Sequence, residues 1–216
     1  MTARRRLARA AGGAAVAALL AAGCASGGRR SFSRPTAERE SEALRSWTDS
    51  LARAGPPGNV NVLYDATLSQ GLLRTGGTLA VRLREDRVEG TLAGPFGTPI
   101  ATYSDGELRG EKLRPVFLPP GQLRAVLAGS WVGALPTVAG QSGETVLLRW
   151  SGTDAAEGVF DVSREELLSV RVERPEGRLE ARFSGSRNPW PDRIEIQEER
   201  SGSRLELRLL SREIVS

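Results

Sequence analysis

Arg204-Leu205-Glu206-Leu207-Arg208-Leu209 alternates charge and leucine, one for one. A β-strand throws successive side chains to opposite faces, so this stretch sets three leucines against three charges. One face is apolar and the other is wet. That is the pattern of an antiparallel sheet covered on a single side.

The same period of two recurs upstream. Val60, Val62, Tyr64, Ala66 and Leu68 form one row. Leu79, Val81 and Leu83 form a second, and Val88, Gly90 and Leu92 a third. Ile100 to Tyr103 leads through Ser104-Asp105-Gly106, a hairpin signal, into Glu107 to Leu113. Later rows are Val146, Leu148 and Trp150, then Phe160 and Val162, then Leu168, Val170 and Val172. Leu179, Ala181 and Phe183 follow, and Ile194 and Ile196 precede the opening stretch. Turns at Gly152-Thr153-Asp154, Pro175-Glu176-Gly177 and Ser201-Gly202-Ser203 separate them. The spacing predicts a mainly β (α+β) fold of about ten or eleven strands. It is one strongly curved antiparallel sheet, an open half-barrel.

Two segments break the period and are predicted to cover the sheet. Thr36 to Arg53 reads as a helix, capped by Thr36, with Glu38 and Glu40 in its first turn. Ala37, Leu44, Trp47 and Leu51 mark its apolar face, and Gly55-Pro56-Pro57-Gly58 ends it. Pro119-Pro120 opens a short helix with Leu123, Val126 and Leu127 on one side. A polar glycine loop is expected between Pro136 and Gly143.

The N-terminal end is of another kind. Arg4, Arg5, Arg6 and Arg9 precede an apolar run from Ala10 to Ala22, which ends at Gly23-Cys24. A basic head, a short greasy run and a small-residue exit make an export signal. The run is shorter than the roughly 20 residues of a membrane-spanning helix. Cys24 is the only cysteine, so no disulfide can form within the chain. The reading is residues 1–23 as signal peptide, 24–35 as a tether, and 36–216 as the half-barrel domain. Residues 1–23 hold four of the 30 basic residues and no acidic one; what remains is 26 against 26. A neutral chain has no electrostatic case for nucleic acid.

Catalysis is not expected. There is no histidine to act as base or metal ligand. Gly140-Gln141-Ser142-Gly143 lacks the spacing of a nucleophile elbow. Adjacent carboxylates such as Glu165-Glu166 and Glu198-Glu199 point apart on a strand. No catalytic residue, metal or cofactor is predicted.

The small residues before Cys24 resemble a bacterial lipobox, whose thiol is diacylated, although Ala21 stands where leucine is usual. With it, the order of elements resembles the LolA/LolB family of lipoprotein carriers and outer-membrane lipoprotein receptors. Three stretches carry the resemblance over residues 36 to 212. Gly94-Pro95-Phe96-Gly97 is similar to a Pro-Leu-Gly loop, with Phe96 in the place of its leucine. Trp131-Val132-Gly133-Ala134-Leu135-Pro136 is similar to a Trp–apolar–Gly–Leu-Pro stretch. Pro189-Trp190-Pro191-Asp192-Arg193-Ile194 resembles the lead-in to the penultimate strand.

The resemblance implies lipidation at Cys24 and a monomer on the outer membrane, facing the periplasm. It implies an apolar cavity that accepts the acyl chains of other lipoproteins, handed over by a LolA-like carrier. The lining would come from Trp47, Leu51, Leu79, Val81, Leu83, Leu92, Leu123, Leu127, Trp131, Leu148, Trp150, Phe160 and Phe183. Pro95, Phe96 and Gly97 would form a loop that dips into the membrane. The residues themselves leave a second reading open: a structural or docking lipoprotein of the cell envelope, with a filled interior. A close-packed hollow separates the two.

Overall fold

The computed structural model describes residues 31–54, 59–84, 87–104, 107–110, 116, 118–128, 131, 135–151, 155–175, 177–187 and 190–215. The signal segment, Cys24, and the predicted turns at 55–58, 85–86, 105–106 and 152–154 lie outside them.

The first meander is β1 (Val60–Gln70), β2 (Leu73–Leu83), β3 (Val88–Ala93), β4 (Pro99–Ser104) and β5 (Glu107–Arg109). The second is β6 (Thr137–Ser142), β7 (Thr145–Trp150), β8 (Ala156–Asp161), β9 (Glu166–Arg174), β10 (Gly177–Arg187), β11 (Pro191–Glu198) and β12 (Arg204–Ile214). All pairs are antiparallel, and β1 pairs with β12 to join the meanders. The result is one 12-stranded sheet with β5 and β6 at its two edges, not closed into a barrel. Register shifts between Leu63 and Tyr64, Ser184 and Arg187, and Val159 and Phe160 bend it.

The alternating rows fall as their pattern requires. Val60, Val62, Tyr64, Ala66 and Leu68 are all buried, as are Leu205 and Leu207. Their partners carry exposed ion pairs, such as Arg193–Glu206 at 3.0 Å and Arg204–Glu195 at 2.8 Å. Exposed pairs of this kind contribute little stability. They solvate the convex face.

β5 and β6 lie at opposite edges, so the segment between them is a crossing. Its described residues Val116, Leu118 and Leu123 lie on the apolar side. Helix α2 (Pro120–Leu127) lies on this crossing, with Pro119 at its N-cap and Pro120 at N1. Helix α1 (Ala37–Ala54) covers part of the same face. The Arg39 N–H donates to Thr36 Oγ1 at 3.2 Å, which caps α1. Ala37 is exposed, and Ala43 takes its place on the buried face.

Three features depart from the sequence reading. The stretch expected as a polar loop is strand β6. Residues 69–78 are not a gap but complete a long β1–β2 hairpin, turned at Gly71-Leu72 with Gly71 at φ +57°. And the stretch read as tether is already held at Ser33. The Ser33 N–H donates to Gln141 O at 2.9 Å, and the Gln141 N–H donates to Ser33 O at 2.8 Å.

One turn rests on a buried carboxylate. Glu198 is 3% exposed and accepts from the Arg200 N–H at 2.9 Å and the Ser201 N–H at 2.5 Å. Desolvation pushes its pKa up, but the bonds from Ser201 and Arg200 outweigh it, and the group stays below the usual carboxylate range. A depressed folded-state pKa stabilises above the unfolded value of about 4.3, and that stability is lost as pH falls through the folded pKa. Melting curves taken between about pH 7 and pH 3 should therefore show Glu198→Gln less stable than wild type at neutral pH, with a flatter acid limb. Parallel acid limbs would show that Glu198 carries none of this dependence.

Candidate functional site

The two halves of the concave face are filled differently. Over β6 to β8, aromatic side chains close the space. Trp47 on α1 meets Trp150 and Phe160 edge-on, both at 5.4 Å between ring centroids. Trp131 lies 6.3 Å from Trp150. Ser46 Oγ donates to Val162 O at 3.2 Å. Arg39 ties α1 to the β6–β7 turn through Glu144 at 3.0 Å and Gly143 O at 3.2 Å. Beneath Trp150, Gly158 leaves no room for even a Cβ: one would stand 2.9 Å from the indole and from Leu167.

Over β2 to β5, β11 and β12 the face keeps a hollow. The cavity encloses about 60 Å³ and is partly open to solvent. Its floor is Leu79 and Val81 from β2, Val88, Gly90 and Leu92 from β3, and Ala101, Thr102 and Tyr103 from β4. Leu108 of β5 closes one side, and Ile196, Leu205 and Leu207 of β11 and β12 the other. Val116, Leu118 and Leu123 of the crossing segment lie over it. None of these residues carries a charge. Register explains the gathering: Leu79 pairs with Leu92, Leu92 with Ala101, and β1 pairs on its far side with β12. Gly90 lies between Val81 and Tyr103, so the floor is lowest there. Beside the hollow, burial pushes the Tyr64 phenol above its usual range, so it stays neutral.

Of the residues predicted to line a cavity, Leu79, Val81, Leu92 and Leu123 do so. The other nine stand elsewhere. Trp47, Trp131, Trp150 and Phe160 form the aromatic cluster, and Leu148 is buried on β7. Leu51 is half-buried on α1, and Leu127 is buried on α2. Leu83 pairs with Val60 and Val88, away from the hollow's centre, and Phe183 pairs with Ile194. The four aromatic residues are core because their rings meet one another across α1, β7 and β8.

The loop of Pro95, Phe96 and Gly97 is a tight turn. The Gly97 N–H donates to Gly94 O at 2.9 Å, and Gly97 sits at φ +74°, a conformation glycine adopts without strain. Phe96 is 96% exposed, so its ring does not fold back on the sheet. Cys24 lies outside the described residues.

An open antiparallel sheet whose concave side is crossed by helices has counterparts among solved structures. A LolA superfamily protein from Nitrosomonas europaea superposes with a TM-score of 0.54 at 13% identity, covering 81% of this chain and 94% of that one. The fold is LolA-like. A Vibrio parahaemolyticus domain assigned to outer membrane lipoprotein sorting superposes at TM-score 0.49 and 12% identity, over 82% of this chain and 94% of its own. No protein-family model and no curated protein matches the sequence. In this LolA-like fold, aromatic rings pack under α1, and the apolar cavity lies under the crossing segment.

Proposed function

We propose that this protein is a lipid-anchored LolB-like receptor. It accepts the acyl chains of other lipoproteins in the hollow and passes them to the outer membrane. The observation that carries this reading is the lining: fifteen uncharged residues, mostly aliphatic, around one space on the concave face. Each acyl methylene buried there gains about 0.8 kcal/mol, so a chain of several carbons binds without a polar contact. No bond is made or broken, and no cofactor is required. Cys24 carries the lipid that holds the receptor to the membrane, facing the periplasm, and a LolA-like carrier supplies the cargo. The receptor acts as a monomer.

The test is uptake of a fluorescent fatty acid by the chain lacking residues 1–24. Saturable binding, displaced by unlabelled fatty acid, is the expected result. No uptake leaves the docking lipoprotein as the reading that stands.

Delivery has its own prediction. Phe96→Glu places a charge where the exposed ring would meet the bilayer. Transfer of bound acyl chains to liposomes should slow, while the melting temperature should hold, since exposed substitutions usually stay within about 0.5 kcal/mol. Unchanged transfer removes this loop from the site.

A further inference from the structure

The β1–β2 hairpin ends in two adjacent, largely exposed leucines. Leu72 is 105% exposed and Leu73 is 68% exposed. A single exposed leucine on a protein surface is ordinary. Two side by side on a held tip are not, and contiguous exposed apolar groups mark an interaction site.

The tip is held firmly. β1 pairs with β2 as far as Gln70–Leu73, and with β12 as far as Ser69–Arg204. It also stands clear of the sheet on its other side. The last rung of β2 with β3 is Thr78–Ala93. Leu73 lies five residues beyond it, roughly 17 Å of extended strand. Register places the Phe96 turn at this same end, because β3 runs from Ala93 directly into it. Three exposed apolar side chains therefore mark one end of the sheet.

The hairpin itself carries charge of one sign. No acidic residue occurs from Ala66 to Arg84, and Arg74 follows the two leucines. Arg74 is exposed and forms no ion pair among the described residues. Apolar side chains beside a lone cation suit the boundary between headgroups and acyl chains of an anionic bilayer.

We propose that the hairpin tip is a bilayer contact in its own right. Leu72 and Leu73 enter an anionic phospholipid surface, and Arg74 meets the phosphates. The tip leads and Phe96 follows, since the tip projects further. This holds whether or not the hollow carries acyl chains.

The test uses the full chain reconstituted with vesicles of phosphatidylglycerol and phosphatidylethanolamine, part of the lipid brominated along its acyl chains. Trp47, Trp131, Trp150 and Trp190 are at most 5% exposed and give a constant background. Leu72→Trp adds a reporter at the tip. Ser163→Trp adds one to the exposed β8–β9 turn, at the opposite end of the sheet. Brominated lipid should remove most of the emission added at position 72 and leave that at position 163. Equal quenching at both positions, or none at either, overturns the proposal. Phosphatidylcholine vesicles should quench position 72 less; the same quenching there overturns the role given to Arg74. Shielding of position 72 only when a soluble carrier protein is added would assign the tip to a protein partner and overturn the bilayer contact.

Discussion

Trp47→Ala should destabilise the protein by about 3–5 kcal/mol, the usual cost of truncating a buried Trp. For a chain of this size that lowers the melting temperature by roughly 6–20 °C. The reason is local. Trp47 is 2% exposed and meets two rings edge-on, Trp150 and Phe160. Such ring pairs add about 0.5–1.5 kcal/mol beyond the area they bury. The remaining apolar contacts of α1 come from Ala43, Leu44 and Leu51, of which only Ala43 is fully buried. Without the indole, α1 keeps the Ser46 bond and the Arg39 ion pairs, which do not replace a core. Calorimetry checks the prediction. A shift no larger than that of a surface substitution would show that α1 is held by something else.

Gly90→Leu is the complementary experiment. Here the fold should survive and the binding should not. A Cβ built on Gly90 meets only ordinary contacts, at 3.6 Å from Ala80 O and 3.9 Å from Tyr103 Cβ. The larger side chain then projects into the hollow. A leucine displaces about four methylenes of a bound chain, about 3 kcal/mol at 0.8 per methylene, which is on the order of a hundredfold in affinity. Fatty-acid titration should show that loss with the melting temperature nearly unchanged. Trp47→Ala should do the reverse, because its ring belongs to the aromatic cluster. Undiminished uptake by Gly90→Leu would place any binding outside the hollow.

The strands were legible wherever one face is greasy and the other charged. β12 and β1 show this alternation residue by residue, and they pair with each other. β6 was not legible, because its buried row is Val138 and Gly140, and Gly140 has no side chain to mark it. Its register also shifts between Val138 and Gly140, which breaks the period. The hairpin tip hid behind Gly76-Gly77, which interrupts the apolar row of β2. A glycine opening a two-residue turn, Gly71-Leu72, was the signal available there.

The hollow was harder for a different reason. Each of its wall strands was read, yet a wall is a relation between strands. Leu205 and Leu207 join Leu79 and Val81 only because β1 pairs with β12, a contact between distant parts of the chain. Likewise, the amphipathic face of α1 was plain, but not which strands it would cover. Helical spacing fixes a face and leaves its partner open. Aromatics were therefore assigned to the cavity when they belong to the plug beside it.

The bridge between Ser33 and Gln141 has a consequence for many copies crowded together. A ribbon that stops short of closing on itself offers its last backbone N–H and C=O groups as a template for a neighbour. On β6 those of Gln141 are already taken by the chain's own lead-in segment. Phe32 packs where Gly140 has no side chain, so the stopper is seated as well as bonded. The segment that leads into α1 is thus more than a leash: it is also a stop against self-templated fibre growth.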